Sequence, residues 1–500
     1  MLLRNVFSNW VALIVIGVIS FLLTPFMIHR LGDFEFGIYT LAFSVVGYSD
    51  LLEQGIRSTL QRFVARLNGR EDREGLDSVF STAVVLALVI AAIMVLVCVG
   101  LAQILPAFFK LRPEREQLFA RLIILLGLNI ALAVPSSLLG SYLTGLQRFD
   151  LYNIISIVRM VLRAILIFSV LLSGYHVLAV ALCVLASTLF SIPLNCWMIW
   201  QVDSRLRFDL RLVRRHTARE LLTFSFWTLL NNAGQLLRDS TDSIVIGRIL
   251  GPALITPFIV ASRLVGYFRP IIRDMVSPLL PRISELDGQG KKEDIRQLFL
   301  RMTRFSALVS LCIGAMLLLH GRSLLLLWVG QRYVSSYPIL VLLTVGAVAS
   351  LTQLGTMHTL IAVGRHRAYG IWTLGEGFAN LLLSIIWAHQ YGIIGVALGT
   401  AVPLIVVKLT LQPWYVTRVL GISLSEYAEK TLARPLAVCM LFLAFCALIG
   451  GFAENGSLWH LLWTVAWQAL LLAILAFTMG LEGSDRTLLR GRFARLAWTP

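Results

Sequence analysis

Apolar residues fall into long runs along the chain, separated by short polar or charged segments. A helix rises about 1.5 Å per residue, so about 20 apolar residues cross the ~30 Å hydrocarbon layer of a membrane. This pattern predicts fourteen spans, at residues 7–28, 35–60, 77–105, 117–144, 152–173, 176–200, 220–243, 254–281, 298–320, 336–363, 369–390, 392–417, 434–452 and 458–481. Several are interrupted by proline: Pro25, Pro135, Pro193, Pro257, Pro270, Pro278 and Pro403. A lipid-facing helix gains little from proline, which fits better where helices pack together or line a polar cavity. The expected fold is all-α: a polytopic membrane protein of about 14 transmembrane helices.

Composition excludes the main alternatives. Of 500 residues, 58% are hydrophobic and 14% charged, with a mean hydropathy of +0.81. A soluble enzyme of this size needs more polar surface. The net charge of +16 would suit nucleic acid, but the basic residues sit in short loops between spans, where lysine and arginine mark the cytoplasmic side. With the N-terminus inside, 26 basic residues fall on the inner side and 8 on the outer. Both ends of the chain are then cytoplasmic. The first apolar run continues through Met27 without a cleavage motif and reads as a retained span. Segment Gly288-Gln-Gly-Lys-Lys292 lacks the rest of a phosphate-binding loop, and no metal or nucleophile constellation occurs. Neither an enzyme nor a bound cofactor is expected. The six cysteines lie in apolar runs and read as small core hydrophobes.

The two halves of the chain repeat. Phe7-Ser8-Asn9-Trp10 matches Phe224-Ser225-Phe226-Trp227 at an offset of 217, and Leu31-Gly32 matches Leu250-Gly251 at 219. Gly47-Tyr48 matches Gly266-Tyr267, Tyr152 matches Tyr369, and Trp197 matches Trp414. Their collinearity over about 190 residues indicates duplicated six-helix lobes. An even number of spans per lobe gives both the same orientation, related by a pseudo-two-fold along the membrane normal. The expected organisation is an N-terminal lobe at 1–200, a cytoplasmic linker at 201–219, a C-terminal lobe at 220–417, two additional helices in 418–481 and a basic cytoplasmic tail at 482–500. The linker alternates Arg205-Leu-Arg-Phe-Asp-Leu-Arg-Leu212, which reads as a segment on the inner lipid surface.

Leu31-Gly32-Asp-Phe-Glu-Phe-Gly37-Ile-Tyr39 resembles the N-terminal signature of polysaccharide-biosynthesis flippases, and Leu52-Glu53-Gln54-Gly55-Ile56 resembles the turn that follows it. Asp242 to Gly247, Leu250-Gly251 and Pro281 are similar to the second-half pattern of that family, part of the multidrug/oligosaccharidyl-lipid/polysaccharide exporter superfamily. The resemblance covers roughly residues 1–420. It implies a bacterial inner-membrane flippase for polyprenyl-diphosphate-linked oligosaccharides, working by alternating access during O-antigen, lipopolysaccharide or exopolysaccharide synthesis. The expected partners are that substrate, membrane lipids, and polysaccharide polymerase and assembly proteins. No nucleic acid is expected, and the chain is taken as a monomer.

Charges predicted at depth supply the candidate site. A charged residue at the bilayer centre costs about 2.5–3.5 kcal/mol. Arg159 and Arg163 share a face of the fifth span, as do Arg269 and Arg273 in the eighth; Arg263, Arg238 and Lys408 add further positive charge. Arg159, Arg163, Arg238, Arg269 and Arg273 are the expected substrate-binding set, because a guanidinium fork suits a diphosphate. Asp50, Glu53, Asp242 and Glu376 are the expected gating or ion-coupling carboxylates. At the repeat offsets Asp50 maps onto Arg269 and Arg159 onto Glu376, pairs that would meet across a cleft. The competing account is that all these charges form structural ion pairs. The rival functions are a cation-coupled multidrug antiporter, which needs an acidic cavity, and a membrane glycosyltransferase or polymerase, for which Glu114 and Glu116 are the best outer-loop candidates.

Overall fold

A computed structural model of the chain describes residues 2–276, 279–448 and 458–480; the side chains of 2, 3, 6, 49–55, 224–233, 235, 236, 238, 239, 366 and 458 lie outside the described set. The described residues contain helices and no strand. Within the described residues each predicted span falls on helical backbone. Eleven stretches are long and apolar enough to cross a membrane, and two of these hold two crossings. Phe7–Val46 and Arg367–Leu420, at 40 and 54 residues, would run about 60 and 80 Å if straight. Glycines break them: Gly32 (φ 73°, ψ 173°) and Gly392 (φ 59°, ψ −137°) adopt angles that strain a residue with a Cβ. The helix Arg215–Ile249 covers the predicted seventh span and is more polar than those eleven stretches.

The chain divides into two compact units, Met1–Thr256 and Pro257–Pro500. The first contains α1 (Leu2–Val46), α2 (Asp50–Asn68), α3 (Arg73–Phe108), α4 (Pro113–Gly145), α5 (Phe149–Leu172), α6 (Val177–Val202) and α7 (Arg215–Ile249). Thus α7, the first helix of the second repeat, packs with the first unit, chiefly on α2. The predicted second span is not one helix: a 3-10 turn at Gly47–Ser49 separates α1 from α2.

The repeat is visible in backbone geometry. Gly251 (φ 97°, ψ 154°) repeats the conformation of Gly32. A Cβ on Gly37 would stand 2.0 Å from the Pro252 carbonyl oxygen, and Thr256 Oγ1 donates to the Asp33 carbonyl at 2.7 Å. At the offset of 219, Asp33 corresponds to Pro252 and Gly37 to Thr256. The two contacts are therefore one contact made in both directions, as two-fold-related segments require.

The linker does more than lie on lipid. Its backbone is fixed to the start of α3. Ser78 Oγ donates to the Leu212 carbonyl (2.8 Å), Asp77 Oδ1 accepts from Arg207 N (3.1 Å), and Thr82 Oγ1 accepts from Arg214 N (3.3 Å). Arg73 forms two 2.7 Å bonds to Asp203, whose Oδ2 also accepts from Tyr142 Oη at 2.5 Å. Phe208 and Leu210 remain exposed, so the amphipathic pattern read from the sequence coexists with a docked backbone.

The second unit contains most of α8 (Ile255–Val276), then α9 (Leu279–Gly288), α10 (Lys292–Val329), α11 (Tyr337–Thr352), α12 (Leu354–Ala362), α13 (His366–Val406), α14 (Gln412–Leu420), α15 (Leu424–Ala428), α16 (Arg434–Leu448) and α17 (Leu458–Leu475). Leu308 and Ala315 of α10 pack with Val438, Phe442, Cys446 and Leu472. The two added helices are thereby cemented to α10, and a buried 2.6 Å bond between His320 Nε2 and Gln468 Oε1 pins the contact. Within α13 the segments either side of Gly392 pack closely, since a Cβ on Gly399 would meet Ser384 at 2.3 Å. Gly395 and Gly399 thus serve close packing, as a GxxxG spacing suggests.

Candidate functional site

The charges predicted at depth separate into different environments. On α5, Ile154, Val158, Val161, Ile165, Phe168 and Leu172 form an exposed apolar stripe. At about 100° per residue, Arg159 and Arg163 lie roughly 140–180° round the helix from its centre. They face away from lipid, into the unit, and both are half-buried. Arg163 Nε donates to Ser187 Oγ of α6 at 3.2 Å, and Tyr39 and Arg159 are its electrostatic neighbours. Neither arginine has a carboxylate partner among the described residues. The described residues therefore show no ion pair for either arginine, while the side chains of Asp50 and Glu53 lie outside them. Two like charges stand on successive turns, and their hydrogen bonding among the described residues is limited to Ser187 for Arg163.

The second unit gives the opposite answer. Lys408 Nζ and Glu376 Oε2 are 3.3 Å apart, with side chains 4% and 1% exposed. The ammonium also lies 5.1 Å from the Tyr369 ring centre. Lys408 belongs to a π-helical turn, Val407–Leu411, whose extra residue re-aims the side chain. Next along the same helices Asn380 Nδ2 donates to Thr400 Oγ1 at 2.8 Å. Glu376 is therefore paired within its own unit.

The other candidates are dispersed. Arg269 and Arg263 are half-buried on α8, while Arg273 is exposed and 3.8 Å from Asp274. Asp242 is 6% exposed on α7. Beside it Thr241 Oγ1 meets Tyr48 Oη at 2.9 Å, tying α7 to the 3-10 turn. The side chains of Asp50, Glu53 and Arg238 lie outside the described residues. Glu114 and Glu116 occupy the first turn of α4, where a carboxylate stabilises the helix dipole. Trp328 is buried, with its ring edge-on to Tyr267. Sequence reasoning missed Arg57, whose guanidinium lies 5.2 Å from the Tyr152 ring centre. The only hint was that Tyr152 marks the repeat.

A family model described as polysaccharide biosynthesis protein matches residues 30–338. The chain belongs to that family. The membrane protein EpsK of Bacillus subtilis (strain 168) is 22% identical over 498 residues, 98% of each chain. A Shigella flexneri protein named as an O-antigen transporter is 22% identical over 405 residues, 79% of this chain and 93% of its own. Among solved structures, lipid II flippase MurJ in an inward closed conformation superposes with a TM-score of 0.75 at 15% identity, covering 95% of this chain and 98% of its own. An inward-facing multidrug-resistance MATE transporter gives 0.70 at 18%, covering 83% and 96%. At these identities the likeness establishes a shared fold, that of membrane transporters. The family member described here is a multi-pass membrane protein of that architecture.

Proposed function

We propose that this chain moves a polyprenyl-diphosphate-linked oligosaccharide across the bacterial cytoplasmic membrane during surface polysaccharide synthesis, by alternating access. The observation that carries this reading is the Arg159–Arg163 pair. Placing two arginines in the membrane costs about 5–7 kcal/mol at ~2.5–3.5 kcal/mol each, and no carboxylate among the described residues offsets it. A transient anion of high charge would, and a diphosphate accepts the forked hydrogen bonds that a guanidinium donates. The polyprenyl tail stays in lipid, while the sugars occupy the hydrated interior. The multidrug antiporter alternative requires a carboxylate available to a cation, and Glu376 is neutralised by Lys408. The orientation supporting the reading is the one drawn from the basic residues, with both termini cytoplasmic.

The test replaces both arginines. Arg159→Gln with Arg163→Gln should abolish surface polysaccharide while membrane protein level stays near normal. The double Lys variant should retain part of the activity, because positive charge survives without the fork. Normal polysaccharide in the double Gln variant would remove these residues from the site.

A further inference from the structure

Where the linker docks, the last turns of α2 and the first turns of α7 enclose a half-open cavity of about 530 Å³. Its lining includes Arg62, Phe63, Arg66, His216, Arg219 and Glu220. The volume lies within the ~300–1,000 Å³ of small-molecule sites. Arg62 and Arg66 are four apart on α2, and His216, Arg219 and Glu220 share one face of α7. These arginines were counted in the sequence only as markers of the inner side. That role needs positive charge in the segment, and nothing in it requires three guanidinium groups around one cavity. Like charges at this spacing repel. Arg66, His216, Arg219 and Glu220 make no hydrogen bond or ion pair among the described residues, so Glu220 does not directly pair with Arg66 or Arg219. The α7 N-terminus adds unpaired backbone N–H groups, since Arg214 at its cap supplies no side-chain bond.

We propose that this cavity is a docking site for a sugar diphosphate, separate from the Arg159–Arg163 pair on α5. The inference rests on the reading of the cargo given above. The three guanidinium groups take the two phosphates, and Phe63 presents a flat apolar face to the first sugar ring. His216 hydrogen-bonds the outer phosphate oxygens. The site holds the head group at the inner membrane surface before it reaches the arginines at depth.

Binding to the full-length protein in phosphatidylcholine nanodiscs tests this. The probes are farnesyl-diphosphate-linked N-acetylglucosamine, inorganic pyrophosphate and inorganic phosphate. Arg66→Gln with Arg219→Gln should weaken the sugar diphosphate about 100-fold, tenfold per arginine, or ~1.4 kcal/mol each. The Lys pair should recover part of the loss. Phe63→Ala should weaken the sugar diphosphate more than pyrophosphate, and Glu220→Gln should tighten pyrophosphate severalfold, a gain that misfolding cannot produce. Unchanged affinity in the double Gln variant would overturn the site, as would inorganic phosphate binding as tightly as the diphosphates. Competition of equal strength from phosphatidylglycerol in the disc would also overturn it, identifying the occupant as bulk lipid. If the Arg159/Arg163 variant loses polysaccharide but the Arg66/Arg219 variant keeps both binding and polysaccharide, the transport reading stands and this site falls.

Discussion

At the scale of single residues, burial separates two uses of charge that look alike in sequence. Lys408 and Glu376 neutralise each other at 3.3 Å, so each makes the other tolerable. Removing one partner of a buried pair leaves an uncompensated charge and costs about 3–5 kcal/mol, whereas replacing both with apolar or neutral groups is often near neutral. Glu376→Gln should therefore lower the thermal midpoint of the detergent-solubilised protein markedly. Adding Lys408→Met should restore most of it. An unchanged midpoint in Glu376→Gln would show that the pair holds nothing. Arg159 and Arg163 lie on the other side of this distinction. Among the described residues no carboxylate offsets their cost, which is the observation the proposed anion site rests on. Which arginine was which could not be read from the chain, because Glu376 and Lys408 are 32 residues apart and the π-helical turn that aims Lys408 has no local marker.

At the scale of elements, the clasp between the linker and α3 offers a pH-dependent readout. Burial alone would raise the Asp203 carboxyl, but the Arg73 and Tyr142 hydrogen bonds outweigh it and hold the group below its ordinary value. A carboxylate depressed in the folded state contributes stability above its unfolded pKa of about 3.9, and loses it as pH falls through the lower folded value. Protease access to residues 203–214 in inside-out vesicles should therefore stay constant from about pH 5 to 8 and rise only below about pH 4. Asp203→Asn should open the segment across the whole range. A rise between pH 5 and 7 would mean that another group controls the clasp. The pairing of linker backbone with Ser78 and Thr82 was not legible, since neither residue has a pattern that sets it apart from other polar residues at a span end. The amphipathic alternation was legible, and Phe208 and Leu210 still display it.

At the scale of the whole molecule, the distribution of basic residues makes the topology testable. A reporter active only outside should score after residues 110 and 332 and stay silent after 70, 210 and 290. One reversed result would overturn the orientation and, with it, the assignment of the α2–α7 cavity to the inner face. The balance of charge also bears on ligand choice. An excess of arginine on both α5 and the α2–α7 cavity attracts anions and repels organic cations.

Hydrophobic patterning by itself determined that the chain is a polytopic helical membrane protein, because lipid forces backbone groups to be satisfied within each span and so makes a span a local property of about 20 residues. The duplication was equally local, carried by motifs such as Leu31-Gly32 and Leu250-Gly251 that had to keep the same backbone angles in both copies. The tertiary structure alone decided which charges meet. Whether an arginine finds a carboxylate depends on the rotation of each helix and on which neighbour it packs against. Arg163 faces Ser187 and Lys408 faces Glu376. Both results depend on side chains far apart in the chain, and neither leaves a trace in the spacing of residues along one helix.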